Sequence, residues 1–503
     1  MRIITRVILF VAVVCLSAYG LYACGGAAAG RDSDIVVQLT YPGSSVAGAG
    51  FKSVSALSDA NAPVAASYPL DPSNRILIRV LGPDFSPMEA WFSRSEGRGV
   101  IKNVPPGSKI VVEVDEYDSS AASLGTNAEL LGRGWVQGIT LAKGEAKIVD
   151  VAMHARGTIL TICGSQAVNG QGVSGDSGDG GLATDARINT PLAVKVGPDD
   201  SIYISSYGNR KVKRIDRYGY ISHFAGTGGS APVTATGVAA SSTPVGYVSD
   251  IDIDPSGNLY FITSQNQILK ITDGIISKIV YDNVYPSSGQ ARSLAVVNDD
   301  LIFFVNESNP RIYRINGSSI DEFVKNDAPL GASEPFDRLH YPINSPSGIT
   351  YASISNSLIF AESVNNRIME LSLSDEKIRY LVEGGNSFQE GIALRSMDVH
   401  RPVAVEYNPV TGKIFFIAHE YDPYNYTDPL CRVFYGTPNN TVRTFAGIGA
   451  LGFSGDGSRS NGAQLSNPMG VSIDSRGNVY IADQGNHAIR MVVGGALGEL
   501  PPP

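Results

Sequence analysis

Short segments of alternating apolar and polar residues follow one another along most of the chain. In the C-terminal part, Val471–Ile473, Val479–Ala482 and Ala488–Val492 alternate in this way, and turns rich in Asp, Gly and Asn separate them. Such alternation between turn-forming residues is typical of antiparallel strands joined by tight hairpins. Because no helical period of apolar residues competes with it, the pattern predicts an all-β protein.

One long stretch of this pattern occurs twice. Residues Ser177–Ile215 and Ser454–Val492 align without a gap, and both begin with Ser-Gly-Asp-Gly. Similarity between distant parts of one chain indicates repeated supersecondary units. Each copy has a loop that ends in Pro, followed by three short strands. The matched pairs include Pro191 with Pro468, Tyr203 with Tyr480, Asn209 with Asn486 and Lys213 with Arg490.

The shared residues, SGDGG-x-A…P…G-N-V-Y-I-A-D-x-G-N-H-x-I-R, resemble the NHL repeat. The resemblance implies a six-bladed β-propeller of the NHL type over residues 157–495. The sixth blade, which starts at Pro468, ends after its third strand. The segment Thr158–Gly164 matches the outer-strand pattern of Arg443–Gly447. Strand 158–164 is therefore expected to complete that blade and close the ring, which leaves only short, protected sheet edges.

Residues 1–23 have the pattern of a secretory signal. Arg2 and Arg6 precede the apolar segment Val7–Leu16, and small residues follow it. The segment Leu21–Cys24 resembles a bacterial lipobox, which implies cleavage before Cys24 and lipidation of its thiol. An ordinary signal peptide cut near Ala23, or an uncleaved anchor, are the alternatives.

The lipobox resemblance also implies a location outside the cytoplasm, in the cell envelope. Gly25, where the family rule for inner-membrane retention has Asp, favours the outer membrane. The small and polar residues 24–34 are expected to form a flexible tether, and residues 496–503 form a tail.

Residues 35–156 form a separate unit before the repeats. Their short strands and regular turns predict a β-sandwich. The segment VPPGSKIVVEVDEYD…LLGRGWVQGITLAKGEAKIVDVAM resembles Ig-like or transthyretin-like modules of bacterial surface lipoproteins. A simple spacer is the alternative function. The expected strands are Ile35–Thr40, Arg75–Val80, Lys109–Val114, Gly134–Leu141 and Ala146–Met153.

Charge and cysteine content limit the function further. The formal net charge is −9, and no basic run or basic-aromatic stripe is present, so we expect no nucleic-acid partner.

After loss of the signal and lipidation of Cys24, two cysteines remain, Cys163 and Cys431. They form either a disulfide, which is permitted outside the cytosol, or two small buried apolar side chains.

An enzyme is the second hypothesis, because propellers also host lyases and lactonases. The peptide-amidating lyases that resemble this repeat bind zinc through histidines placed just after the Pro of an inner strand, and no such histidine is present here. His340, His400 and His419 are the remaining candidates for a metal site on one face. We expect neither a cofactor nor a catalytic residue elsewhere. The aspartates Asp176, Asp179 and Asp456 are interpreted as turn formers.

Binding is the first hypothesis, and loops on one face of the propeller are the expected site. The loops that join consecutive blades are long, and blade five adds an insertion at His419–Pro429, HEYDPYNYTDP. Tyrosine provides a large contact area at a small entropic cost. We expect a membrane-anchored scaffold that binds an envelope or extracellular protein, peptide or glycan. The candidate ligand-binding residues are His400, His419, Tyr421, Asp422, Tyr424 and Tyr426.

Overall fold

The computed structural model confirms the predicted all-β fold with a six-bladed propeller. Among the residues it describes, no helix is long and apolar enough to cross a bilayer. The chain divides into two compact units, Met1–Thr158 with Gly457–Arg459, and Ile159–Asp456 with Ser460–Pro503. The described residues are 9–10, 33–40, 73–94, 98–118, 129–168, 171–282, 291–325, 334–383, 391–422, 425–436 and 441–497.

The N-terminal unit is one eight-stranded arrangement around its own core. Its strands are β1 (Leu9–Phe10), β2 (Ser33–Thr40), β3 (Arg75–Gly82), β4 (Phe85–Ser93), β5 (Arg98–Val104), β6 (Gly107–Tyr117), β7 (Leu130–Leu141) and β8 (Ala146–Ala155). They pair in the order β1-β5-β2-β8-β7-β6-β3-β4. Only the pair β2–β8 is parallel among those described. Strands β1, β4 and β5 were absent from the sequence prediction; β1 lies in the predicted signal segment. The Ig-like or transthyretin-like type remains a prediction.

The second unit contains six blades of four strands each. The strands of blades one to five run as antiparallel meanders from an inner to an outer strand, whereas blade six takes its outer strand from the beginning of the unit. Apolar side chains of neighbouring blades share cores; Phe303 of blade three and Phe360 of blade four belong to one such cluster. Blades one to three contain β12 (Pro191–Val196), β13 (Ile202–Ser206), β14 (Lys211–Ile215), β15 (Ile221–Ala225); β17 (Val248–Ile253), β18 (Leu259–Thr263), β19 (Gln267–Thr272), β20 (Ile275–Asp282); and β21 (Ala291–Val296), β22 (Leu301–Asn306), β23 (Arg311–Asn316), β24 (Ser319–Val324). Blades four to six contain β26 (Pro346–Ala352), β27 (Ser357–Glu362), β28 (Arg367–Ser372), β29 (Lys377–Val382); β30 (Pro402–Tyr407), β31 (Ile414–Asp422), β32 (Asn425–Gly436), β33 (Arg443–Gly449); and β34 (Pro468–Ile473), β35 (Val479–Asp483), β36 (Ala488–Val492) with β9 (Ile159–Cys163).

Short elements lie in the loops between blades. Strands β16 (Val238–Ala239) and β25 (Phe336–Asp337) pair with the outer strands β20 and β29 and cover their edges. A two-stranded ribbon, β10 (Ser165–Val168) and β11 (Gln171–Val173), follows β9. Single-turn 3-10 helices lie at Ala183–Asp185, Tyr207–Asn209, Ala240–Ser242, Leu394–Ser396, Ser460–Gly462 and Gln484–Asn486.

Strand β9 is the fourth strand of blade six, the pairing expected from the sequence. It is antiparallel to β36, with Cys163 opposite Ile489 and Ile159 opposite Val492. Ile159 is fully buried in the core shared by blades five and six. The first and last strands of the propeller thus lie in one sheet, so the ring is held closed by a contact between residues far apart in sequence.

In several blades, the turn between the second and third strands is hydrogen-bonded to the start of the next blade. Its last residue has a left-handed backbone conformation in blades two, four and six, where Asn266, Asn366 and His487 occupy it. Each of these side chains accepts a hydrogen bond from the backbone N–H that begins the following blade. His487 Nδ1, for example, accepts from the Thr190 N–H at 3.0 Å. The repeat residue His487 therefore has a structural role, and Asn has the same role elsewhere in the ring.

Two cations are fully buried on third strands, and the Ser-Gly-Asp-Gly loops neutralise them. Lys213 Nζ lies 2.7 Å from Asp176 and 2.8 Å from Asp179. Arg490 lies 2.6 Å from Asp456, and 3.4 Å from Asp483. The interpretation of these loop aspartates as turn formers was incomplete, because they are the counter-ions that make burial of the two cations tolerable.

Replacing His487 tests the role of the turn residue. The variant His487→Asn should keep the hydrogen bond from Thr190 N–H and the left-handed backbone, whereas His487→Ala should lose about 1 kcal/mol of stability. Burial lowers the pKa of His487. The unfolded chain therefore binds the proton more readily, so stability decreases as pH falls through and below about 6.5.

Because Asn does not titrate, the His487→Asn protein should lose less stability than the parent between about pH 7.5 and about pH 5. Urea unfolding at both pH values provides the measurement. Parallel pH dependence in the parent and in His487→Asn would show that burial does not lower the pKa of this histidine.

Candidate functional site

The six inner strands surround a narrow central channel. Each inner strand contains one extra residue relative to its second strand, directly after its own first residue. Such β-bulges redirect a side chain and are common beside functional sites. All six inner strands line a cavity of about 60 Å³. We call the face at the bulged ends, which also bears the loops between blades, the upper face.

The bulge ring is the set of six side chains that the bulges direct to the cavity. Its two halves differ in polarity. Blades two, three and four contribute Ser249, Arg292 and Ser347, and blades five, six and one contribute Val403, Met469 and Leu192. The bulge ring therefore has one continuous polar half, with an arginine at its centre, and one continuous apolar half. The charged residues Lys195, Asp250 and Glu406 line the deeper part of the same cavity.

A second ring lies deeper in the channel, toward the opposite face. Its members occupy one register position on the six inner strands: Lys195, Asp252, Ala295, Thr350, Glu406 and Ser472. Lys195 Nζ lies 3.1 Å from Asp252 and 2.9 Å from Glu406. Since blade six separates blades five and one, the Lys195–Glu406 pair crosses the channel. These three side chains obstruct the channel at this level.

Burial and charge act in opposite directions on this triad. Burial raises the pKa of Glu406, and the nearby charge of Lys195 opposes this effect without cancelling it. The pKa of Lys195 is also raised, because the two carboxylates outweigh the effect of its burial. Lys195 is therefore charged at neutral pH, and its charge favours the ionised form of Glu406.

Asp250, between the two rings, is bonded to the neighbouring blade. Its carboxylate accepts hydrogen bonds from Ser293 Oγ at 2.6 Å and from the Leu294 N–H at 3.0 Å. Burial raises its pKa to about 6. Asp252 likewise accepts from the Val296 N–H at 2.7 Å. The acidic residues of blade two thus connect it to blade three.

The predicted insertion in blade five is strand, and its interpretation as a loop was wrong. Strands β31 and β32 continue through it, with Glu420 opposite Leu430, Tyr421 opposite Pro429 and Asp422 opposite Asn425. The last pair between β32 and β33 is Cys431 with Gly449. Residues 420–422 and 425–430 therefore form a two-stranded ribbon on the upper face. Tyr424, and the side chains of Tyr421, Asp422 and Tyr426, lie outside the described residues.

The three candidate histidines do not form a metal site. His419 is buried, and its Nε2 is 2.8 Å from the Pro468 carbonyl oxygen. His340 is exposed, with its Nδ1 3.6 Å from Asp337. His400 is half-buried in the loop before β30. Among the described residues, no three His, Cys, Asp or Glu side chains are placed to hold a metal ion, so the structure does not bring these three histidines together in one such group.

The two remaining cysteines are buried thiols and are not joined by a disulfide. Burial raises the pKa of Cys163 and of Cys431 to about 12. Of the two alternatives left open by the sequence, the structure therefore has the small buried apolar side chains, and both thiols are poorly reactive.

Sequence reasoning missed the channel residues Lys195, Asp252, Glu406 and Arg292. A signal was present: each is a charged residue in the inner strand of a blade, where the other blades have small or apolar residues. What the sequence does not show is which blades face each other, and hence that Lys195 meets a carboxylate across the ring.

Comparisons with known proteins support the fold. No protein-family model matches the chain, so the NHL type remains a prediction. A stretch of 41 residues is 42% identical to teneurin-1 of Gallus gallus and covers 8% of this chain, which spans about 2% of teneurin-1.

Two solved structures are similar over most of the chain. A structural genomics protein of unknown function from Bacteroides thetaiotaomicron has a TM-score of 0.50 at 11% identity, covering 83% of this chain and 90% of its own. An auxiliary nutrient binding protein from Bacteroides ovatus has a TM-score of 0.48 at 14% identity, covering 84% and 91%. At such low identity the likeness concerns the fold alone.

Removing Lys195 tests the ion-pair triad. In Lys195→Met, two carboxylates face each other without their cation, and the protein should lose about 3–5 kcal/mol near neutral pH. The folded pKa of Glu406 rises further above its unfolded value, so the folded state binds more protons. Stability should therefore recover as pH falls toward about 5, as urea unfolding would show.

The control for this variant removes all three charges. Lys195→Met combined with Asp252→Asn and Glu406→Gln should restore most of the lost stability at neutral pH, since no unpaired charge remains. If Lys195→Met were as stable as the parent at neutral pH, the triad would have no structural role.

Proposed function

We propose that the protein is a binding scaffold of the cell envelope, anchored through a lipidated Cys24, whose upper face binds a protein, peptide or glycan. The central channel is too small for such a partner, with a cavity of about 60 Å³. Recognition of a large molecule must therefore take place on the surface around the channel. Loops and hairpins on a rigid scaffold are the usual location of such binding.

The extension of the blade-five hairpin is the observation that supports this proposal. Strands β31 and β32 have 9 and 12 residues, whereas the middle strands of blade six have 5 each. The extra residues pair with one another beyond the last pair of β32 with β33. A ribbon of this kind offers a preformed surface, which lowers the entropic cost of binding.

The composition of the ribbon suits a recognition surface. Its sequence contains three tyrosines together with Glu420, Asp422 and Asp428. Tyrosine is amphipathic, so it contributes contact area and a hydrogen-bonding group at the same time. His419, at the base of the ribbon, is held by the Pro468 carbonyl of blade six and attaches the ribbon to the scaffold.

The anchor can be tested separately. Metabolic labelling with a palmitate analogue should modify the parent protein, and the label should disappear in Cys24→Ser. A parent protein that takes up no label would leave the propeller without the proposed anchor.

The ribbon can be shortened without disturbing the blade. Since Glu420 and Leu430 are directly opposite, residues 421–429 can be replaced by Asn-Gly, the sequence preferred in a two-residue hairpin turn. His419 and its contact with Pro468 are retained. We expect this variant to melt like the parent and to capture partners from a cross-linked envelope fraction at least about 10-fold less.

A matched control lies at the other end of the same blade. Val410 is 75% exposed in the turn between β30 and β31, on the face opposite the ribbon. Val410→Asp should capture the same partners, identified by mass spectrometry, as the parent does. Unchanged capture by the folded ribbon variant would exclude the ribbon as the recognition surface.

A further inference from the structure

The bulge ring lines a cavity at the upper face, and its polarity is informative. Its polar half, from Ser249 through Arg292 to Ser347, faces an apolar half formed by Val403, Met469 and Leu192. A ring that only filled space would need no such separation. This arrangement complements a molecule that has an anionic end directly beside an apolar group.

Arg292 is the cation at the centre of the polar half. Its side chain is 30% exposed, and its ion pair with Glu307 is long, at 3.9 Å, beyond hydrogen-bond distance. Glu307 in turn accepts a hydrogen bond from Ser345 Oγ at 3.2 Å. Arg292 lines the cavity, and its planar fork suits bidentate binding of a carboxylate.

The two serines beside Arg292 differ in whether their hydroxyl group is available to donate to a ligand. Ser347 Oγ donates to the Pro402 carbonyl at 2.8 Å, so its hydrogen is already used. Ser249 Oγ has a weaker bond, 3.5 Å to the Ala291 carbonyl, and can turn toward a ligand. Arg292 and Ser249 together provide three donors for one carboxylate group.

The acidic residues below the ring do not exclude an anion. Asp250 is engaged by Ser293 and by two backbone N–H groups, and Lys195 bridges Asp252 and Glu406. At the upper end, burial lowers the pKa of His419, and Arg401 and Arg292 act in the same direction.

The size of the cavity limits what can enter. A volume of about 60 Å³ corresponds to roughly two water molecules. Only the terminus of a ligand fits: the carboxylate and the first atoms of a neighbouring side chain, which then extends over Met469 and Leu192. The remainder of the molecule must lie on the upper face.

We propose that the bulge ring binds a carboxylate terminus next to a short branched apolar group. Two sources share this chemistry, the C-terminus of a peptide that ends in an aliphatic residue and a free short-chain carboxylic acid. The inference rests on the proposed binding function of the upper face, but it concerns different residues from the ribbon.

The test compares matched ligands with the purified protein. N-acetyl-glycyl-leucine, its C-terminal amide and isovalerate are titrated by isothermal calorimetry. The amide should bind about 10- to 100-fold more weakly than the acid, because it lacks the charge that pairs with Arg292. Isovalerate binding as tightly as the dipeptide indicates a free acid as the occupant, and much weaker isovalerate binding indicates a peptide terminus.

Variants identify the residue responsible. Arg292→Gln should bind the acid about 10- to 100-fold more weakly than the parent. Arg292→Lys should have an affinity between those of the parent and Arg292→Gln, since it keeps the charge but loses the planar fork. Arg379→Gln is the control, because Arg379 pairs with Asp375 on the exposed surface of blade four. All three variants should melt within a few degrees of the parent.

The proposal is overturned if no carboxylate binds, if acid and amide bind equally, or if Arg292→Gln binds the acid as well as Arg379→Gln does. The ribbon-shortened variant separates the two proposals. If it binds the acid normally but captures no envelope partner, both hold. If Arg292→Gln fails to bind the acid while ribbon shortening leaves partner capture unchanged, only the ribbon proposal fails.

Discussion

Closing six blades into a ring brings six inner strand edges around one axis, and the rest of the structure depends on how their polar groups are satisfied. An inner strand has a ladder on one side only, and its other edge faces the channel. Buried N–H groups without partners would be costly. Here side chains of the preceding blade accept from them: Ser472 from Val196, Asp250 from Leu294, and Ser293 from Ile349.

The same requirement explains the ions of the lower ring. Asp252 accepts from the Val296 N–H and is therefore committed as a carboxylate on a channel wall. Lys195 neutralises it and crosses to Glu406. A buried pair of this kind adds little stability by itself, but losing one partner is costly. The channel is consequently a structural element in its lower part, where Lys195 and Glu406 form the deeper lining of the cavity.

Connections between blades follow a single geometric scheme with different residues. Asn266, Asn366 and His487 all accept from the N–H at the start of the next blade. Lys213 and Arg490 occupy matching positions in the two best repeat copies, and each is neutralised by the loop that precedes its blade. The residue type varies because the turn position needs only a hydrogen-bond acceptor, and the third-strand position needs only a cation.

The all-β fold, the repeat and the expected role of segment 158–164 follow from the sequence alone, since strand alternation, turn residues and the paired copies are local patterns. Three other features depend on which blades adjoin and which face each other. They are the Lys195–Glu406 contact, the counter-ions of Lys213 and Arg490, and the polarity of the bulge ring. The ribbon at Glu420–Leu430 was mistaken for a loop because its tyrosines and prolines conceal the strand register. Those features were decided only by the tertiary structure, because ring closure brings together side chains from strands that are distant in the chain.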